Sequence, residues 1–223
     1  MKQLALDIGL ASGPTLARFF AGPNEAALQH LRLWAGEGSQ PDTRSPVPTY
    51  LWGEAGSGKT HLLKAVRQAL SDQGASVGWL DASVASAAEF DERWAAVVLD
   101  DVHLYSTAQQ AMAFNWFVNA ISPANGAPRW VLAAGNLPPA DLPLRDDLRS
   151  RLGWGHVFQL QLLGEAERRA VLRQEADARG VFLGDEVMDY MLNRFSRDLG
   201  SLMQLLDQLD AFALRTQRAI TIP

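Results

Sequence analysis

Cysteine is absent from all 223 residues, which excludes a disulfide framework, a thiolate zinc site and a cysteine nucleophile, and fits a reducing compartment. Basic charge is also short: 20 Lys and Arg stand against 25 Asp and Glu, for a net charge of −5. A chain that held nucleic acid mainly by neutralising phosphates would need a basic surface, so contact with DNA is expected to be indirect. The four histidines are scattered and suggest no metal cluster. No apolar run approaches the roughly 18 residues of a membrane span. Met1-Lys2-Gln3-Leu4 does not lead into a signal-peptide core. A cytoplasmic protein without membrane contact is the expectation.

With 48% apolar residues, the chain can bury one substantial core or two small ones, and a larger nucleotide-binding part with a smaller C-terminal part is expected. Glu37 to Pro48 is rich in glycine, proline and small polar residues and reads as a surface loop. A helix is predicted over Asn24 to Trp34 and a buried strand over Thr49 to Trp52. Four more short apolar runs, Val77 to Leu80, Ala96 to Leu99, Trp130 to Ala134 and Val157 to Leu160, look continuous, as strands of a parallel sheet covered on both faces do. Between them Phe114, Phe117, Val118 and Ile121 recur at helical spacing and predict an apolar face. After about residue 163 the strand signal stops. Helices near 165–179, 185–195 and 198–215 follow, the last with Leu199, Leu202, Met203, Leu206, Leu209 and Ala213 along one side, as in an all-helical lid or bundle. Strands alternating with helices, then helices alone, predict an α/β domain followed by a helical one.

Gly53-Glu54-Ala55-Gly56-Ser57-Gly58-Lys59-Thr60 has the spacing of a phosphate-binding loop and lies between a predicted buried strand and a helix containing Leu62, Leu63, Val66 and Leu70. The glycines let the loop wrap a phosphate chain with its N–H groups, and the helix N-terminus adds a favourable dipole. Lys59 is placed to reach the β- and γ-phosphates, and the Thr60 hydroxyl to ligate Mg2+. His61, next on the helix, is counted with the nucleotide-binding set.

A second carboxylate-bearing strand end is required, and Val97-Val98-Leu99-Asp100-Asp101 supplies one about forty residues downstream. Asp100 is assigned to the magnesium shell and Asp101 to polarising the attacking water. Each alternatively caps the turn that follows. Asn136, at the end of the next strand, either hydrogen-bonds the γ-phosphate or the water, or opens the Asn-Leu-Pro-Pro turn.

These residues together resemble the AAA+ module of bacterial DnaA-type initiators, and within that family the Hda-type regulatory inactivators of DnaA; the resemblance covers nearly the whole chain. Arg149-Ser150-Arg151-Leu152-Gly153-Trp154-Gly155 is similar to the family's box VII, which implies that Arg151 is an arginine finger. Taken alone, Arg151 reads first as a surface arginine beside Arg145 and Arg149, or as one paired to Asp146 or Asp147. Ser196-Arg197-Asp198-Leu199-Gly200 resembles the sensor-2 helix, implying that Arg197 contacts phosphate. Asn136 falls at the sensor-1 position. Phe19-Phe20-Ala21-Gly22-Pro23-Asn24 resembles the segment that packs near adenine; Phe20 is the expected base contact, although two aromatics beside a Gly-Pro turn also suit a core.

The fold implied is an AAA+ P-loop NTPase: a five-stranded parallel sheet sandwiched by helices over residues 16–163, and a small all-helical lid over 164–223. Gln3-Leu4-Ala5-Leu6-Asp7-Ile8, within an N-terminal segment 1–15, resembles short peptides that dock on the replication sliding clamp, the β subunit of DNA polymerase III. Gln3, Leu4, Leu6 and Ile8 are the expected clamp contacts, with a frayed tail or edge strand as the alternative. DnaA-type initiators continue into a helix-turn-helix domain, whereas this chain stops at Ile220-Thr221-Ile222-Pro223. The expectation is therefore a regulator that acts on the DnaA initiator. Docked on the DNA-loaded clamp, it would stimulate hydrolysis of DnaA-bound ATP. ADP or ATP with Mg2+ is the expected cofactor, self-association an expected further contact, and turnover of its own ATP an open point. A DnaC-like helicase loader and a stand-alone AAA+ ATPase are the rival readings.

Overall fold

The computed structural model describes residues 13–36, 47–84, 89–124, 126–194 and 199–216, with side chains to Phe212. Five strands, β1 (Thr49–Trp52), β2 (Ser76–Leu80), β3 (Trp94–Leu99), β4 (Trp130–Gly135) and β5 (His156–Gln159), form one all-parallel sheet in the order β2-β3-β4-β1-β5. Seven α-helices accompany them among the described residues: α1 (Glu25–Ala35), α2 (Lys59–Asp72), α3 (Thr107–Ile121), α4 (Asp146–Leu152), α5 (Glu165–Ala178), α6 (Asp185–Arg194) and α7 (Leu199–Thr216). The expected five-stranded α/β sheet with helices on both sides and a helical C-terminal part is what the chain forms.

The continuous apolar runs are explained by the two-residue period of a strand with helices on both faces. Leu51, Ala96, Val98, Leu132 and Ala134 point to the side covered by α1 and α2. Their neighbours Tyr50, Val97, Leu99, Val131 and Ala133 point to the side covered by α3 and α4. A third core, built from Leu172, Ala176, Met188, Met191, Leu202 and Leu206, joins α5, α6 and α7. On α7, Leu202 and Leu206 are buried and Met203 and Leu209 pack partly against this core.

Two expectations are corrected. The buried stripe of α3 is Ala113, Trp116, Phe117 and Ala120, with Phe114 and Ile121 at its margin. Alanines contribute little to an apolar pattern, but they permit close approach of the helix to the sheet, and this rotates the buried side. The last strand is not covered on both faces. It is an edge of the sheet, bonded to β1 alone, and its Val157 is 38% exposed.

Helix α3 begins in a capping box in which Gln109 N–H donates to Ser106 Oγ (3.3 Å) and Ser106 N–H donates to Gln109 Oε1 (2.9 Å). The Gln109 amide then donates to the carbonyls of Ala82 (3.1 Å) and Val84 (2.9 Å), fastening the loop after β2 to this helix start. Among the described residues no helix is long and apolar enough to cross a membrane.

Candidate functional site

The carboxyl ends of β1, β4 and β3 lie side by side, and the segments leaving them are the glycine-rich loop, the Asn136 turn and the Asp100-Asp101 pair. Ligands of open parallel sheets bind at this edge, where strand order reverses. Gly58 caps α2 with φ +94°, and a side chain there would meet Phe19 Cε2 at 2.7 Å. Backbone conformation and close approach both require glycine at that position.

Lys59 is 7% exposed. Its ammonium donates to the carbonyls of Gly53 (2.7 Å) and Glu54 (2.8 Å), with Ser57 Oγ at 3.5 Å. Burial lowers its pKa, opposed by the charges of Asp101 and Asp100. The loop thus holds a cation that has two carboxylates nearby and two carbonyls as its closest partners. An anionic phosphate is a better partner than those carbonyls. Glu54, Ala55 and Gly56 form the exposed crest of the loop, and Ser57 is buried beneath it.

Asp100 is 3% exposed. Burial raises its pKa; the Thr60 hydroxyl donates to its carboxylate and opposes the rise, while the Asp101 charge adds to it. Thr60 and Asp100 thus lie near each other, and a hydroxyl beside a carboxylate is the oxygen donor set that suits Mg2+. Asp101 adopts the left-handed conformation, φ 49° and ψ 43°, the one described non-glycine residue with positive φ. Conformations of this kind cost about 1–3 kcal/mol and concentrate at functional sites.

Asn136 is exposed at the end of β4. Its turn is held from below by Tyr50, whose hydroxyl donates to the Leu137 carbonyl at 2.8 Å. That hydroxyl also occupies the space that a side chain at Gly135 would need. Sequence reasoning gives Tyr50 no such task, because its partner lies in the turn that follows a different strand.

His61 faces away from the carboxylate pair. Its Nε2 lies 3.4 Å from the Thr15 carbonyl and its ring centroid 5.6 Å from that of Phe19. Burial lowers its pKa, opposed by the bond to Thr15 and the charge of Glu175. Phe20 lines a cleft of about 180 Å³, with Phe19 and Ala21 on one side and Val171, Gln174 and Glu175 of α5 on the other. The α5 wall has no counterpart in the sequence reading. Arg168, one turn earlier on α5, is 9% exposed, and its Nε and Nη1 have no hydrogen-bond partner among the described residues. Arg197, Gln3, Leu4, Leu6 and Ile8 lie outside the described residues.

Arg151 sits near the end of α4, in the layer opposite α1 and α2. The two acids that could claim it bind elsewhere: Asp146 pairs with Arg149 and Asp147 with Arg145, each at 2.6 Å. Arg151 donates instead from Nη1 to the Asp147 carbonyl (3.2 Å) and lies with its guanidinium carbon 4.7 Å from the centre of the Phe114 ring. Trp154, three residues on, is 70% exposed.

A family model described as the Hda lid domain matches residues 165–223. A Haemophilus influenzae protein described as uncharacterized is 33% identical, the alignment covering 100% of this chain and 96% of that protein. The chain belongs to the Hda-like group of DnaA-family AAA+ proteins. Among solved structures, domain III of the Thermotoga maritima replication initiation protein DnaA superposes with a TM-score of 0.75 at 20% identity, over 99% of this chain and 94% of that one. AMPPCP-bound DnaA from Aquifex aeolicus gives 0.66 at 20% identity, over 92% and 68%. These two likenesses concern the AAA+ fold, and it is within that fold that the Hda-like chain assembles its glycine-rich loop, acidic pair and helix α4.

Proposed function

We propose that this chain is a nucleotide-binding regulator of replication initiation that docks on the DNA-loaded sliding clamp and stimulates hydrolysis of ATP held by a DnaA initiator. The observation that carries the reading is the state of Arg151. No carboxylate binds it among the described residues, and it rests on the Phe114 ring, with the exposed Trp154 three residues on in the chain. An arginine in that condition can enter a neighbouring subunit's site, where its fork neutralises charge developing on a transferring phosphoryl group. Membership of the Hda-like group supports a DnaA initiator as that neighbour, and we assign the DnaA-bound nucleotide as the one hydrolysed.

The chain's own site is assigned ADP or ATP with Mg2+. Gly53 to Thr60 embrace the phosphates, Lys59 leaves its two carbonyl partners for them, and Thr60 with Asp100 holds the metal. The bound group supplies the phosphoanhydride and the cation. Asp101 and Asn136 are assigned to orienting water, and Phe20 with the α5 wall to holding the base. Bound nucleotide, with ADP the resting form, then sets how the α5–α7 domain meets the sheet domain. This makes it a switch for assembly with the initiator. Gln3, Leu4, Leu6 and Ile8 are assigned to the clamp, which brings the protein to DNA without a basic surface of its own.

The test is copurification with purified partners. The protein is expected to retain both the clamp and a DnaA initiator, with the clamp lost on joint substitution Gln3→Ala and Leu6→Ala, and nucleotide lost on Lys59→Ala. Failure to retain the initiator in the presence of ADP or ATP would remove the regulator reading in favour of a helicase loader.

A further inference from the structure

The cleft beside Phe20 holds a carboxylate that has no task in the account above. Glu175 lies on α5 with Val171 and Gln174, and the three form the α5 wall of the cleft. Its side chain is only 18% exposed. Arg179, one turn on, comes within 3.5 Å of it, but that guanidinium donates its hydrogen bond to Asp207 of α7. No hydrogen bond reaches the Glu175 carboxylate among the described residues. The two arginines that also line the cleft, Arg18 and Arg32, are engaged with other groups, Arg32 with the Leu16 carbonyl at 3.4 Å.

A carboxylate largely removed from water and left without donors is costly, and a ligand that brings an N–H group relieves that cost. The other wall says what kind of ligand. It carries Phe19 and Phe20, and aromatic faces favour a flat ring laid against them. Phe19 also ties the cleft to the glycine-rich loop, since a side chain at Gly58 would stand 2.7 Å from its Cε2. At about 180 Å³ the cleft is smaller than the roughly 300–1,000 Å³ that encloses a drug-sized ligand. It therefore suits one ring system, with the rest of the molecule outside. An ionised carboxylate only accepts hydrogen bonds. It matches an amino group on that ring and repels a carbonyl.

We propose that Glu175 is a specificity-determining residue whose carboxylate accepts a hydrogen bond from the exocyclic amino group of the base, so that the site takes adenine and rejects a purine with a carbonyl at the same position. The inference rests on the reading of Gly53 to Thr60 as a nucleotide site with its base in this cleft. Phe20 supplies a face that any base can use, and Glu175 supplies the choice among bases.

The test is calorimetric binding of ADP and of inosine diphosphate, each with Mg2+, to the intact chain and to Glu175→Gln and Glu175→Ala. Inosine diphosphate differs from ADP in the base alone, with a carbonyl in place of the amino group. The intact chain is expected to bind ADP about tenfold or more tighter, the scale of one hydrogen bond to a charged acceptor. Glutamine keeps the size of the side chain and adds a donor that a carbonyl can use, so the ratio of the two affinities is expected to fall to within about threefold of one, by the same principle. Alanine removes the acceptor without adding a donor and is expected to lower the ratio as well. A glutamate that served only to pair with Arg179 would change the Tm in these variants and leave the ratio where it was. Equal binding of the two nucleotides by the intact chain, or a ratio in both variants equal to that of the intact chain, would overturn the assignment of Glu175. Failure of the intact chain to bind either nucleotide would instead bring down the nucleotide reading itself.

Discussion

The guanidinium of Arg151 lies 4.7 Å above the ring of Phe114, and Arg145 approaches the same ring at 5.2 Å. Two cations share one aromatic ring while the nearby carboxylates of Asp146 and Asp147 pair with Arg149 and Arg145. Phe114 therefore aims Arg151 without neutralising it, which a carboxylate would do. An exposed cation–π contact contributes about 0.5–1 kcal/mol. Phe114→Ala is accordingly expected to lower stimulation of a partner's ATP hydrolysis about two- to fivefold, by the same principle. Calorimetry should find the chain's own nucleotide affinity unchanged, and a parallel loss of affinity would show that Phe114 supports the fold rather than the finger.

Asp100 presents a trade between stability and binding. Burial raises its pKa above the ordinary value of 3.8, so the folded chain binds its proton more tightly than the unfolded chain does. Stability from this group is full below that ordinary value and is lost as pH rises through the raised one. At pH 7 the buried charge is a cost in the nucleotide-free protein. Asp100→Asn is expected to raise the Tm of that form, at about 2–4 °C for each kcal/mol relieved, and to abolish the further rise produced by Mg2+ with nucleotide. Thermal scans with and without ligand measure both. A lower Tm in the nucleotide-free variant would contradict the burial argument.

His30 predicts acid sensitivity. Its Nε2 lies 2.8 Å from Thr49 Oγ1, and its ring is 4.6 Å from that of His156 and 5.0 Å from Phe158. Burial, and then the charge of His156, lower its pKa from 6.5 to about 4. The unfolded chain takes up this proton first. The contribution is full above 6.5 and is lost as pH falls toward 4. Urea midpoints are expected to drop between pH 7 and pH 5, and to drop less in His30→Gln, which retains a polar partner for Thr49 but does not titrate. Equal drops in the two proteins would assign the acid sensitivity to other groups.

Much of this arrangement is legible in the sequence because it is local. A strand, a glycine loop and a helix occur in succession at Thr49 to Asp72, and the bounds of β1 coincide with its apolar run. Period-2 burial also leaves its mark, since strands covered on both faces must be apolar throughout. What is not legible depends on packing between distant segments. The hydroxyl of Tyr50 reaches a carbonyl 87 residues away, and the wall that α5 offers to Phe20 joins the start of the described chain to its C-terminal part. The rotated face of α3 escapes pattern reading because Ala113 and Ala120 are fully buried yet weakly apolar.

The account stands most directly on one assay: hydrolysis of ATP prebound to a DnaA initiator in the presence of DNA-loaded clamp, with no addition, with this protein, and with its Arg151→Ala form. The protein is expected to accelerate loss of the bound ATP, and the variant to lose that acceleration by about 10³-fold or to background, the scale of an arginine finger. Acceleration by the variant equal to that of the intact protein would contradict the role of Arg151, and no acceleration by either would contradict the regulator itself.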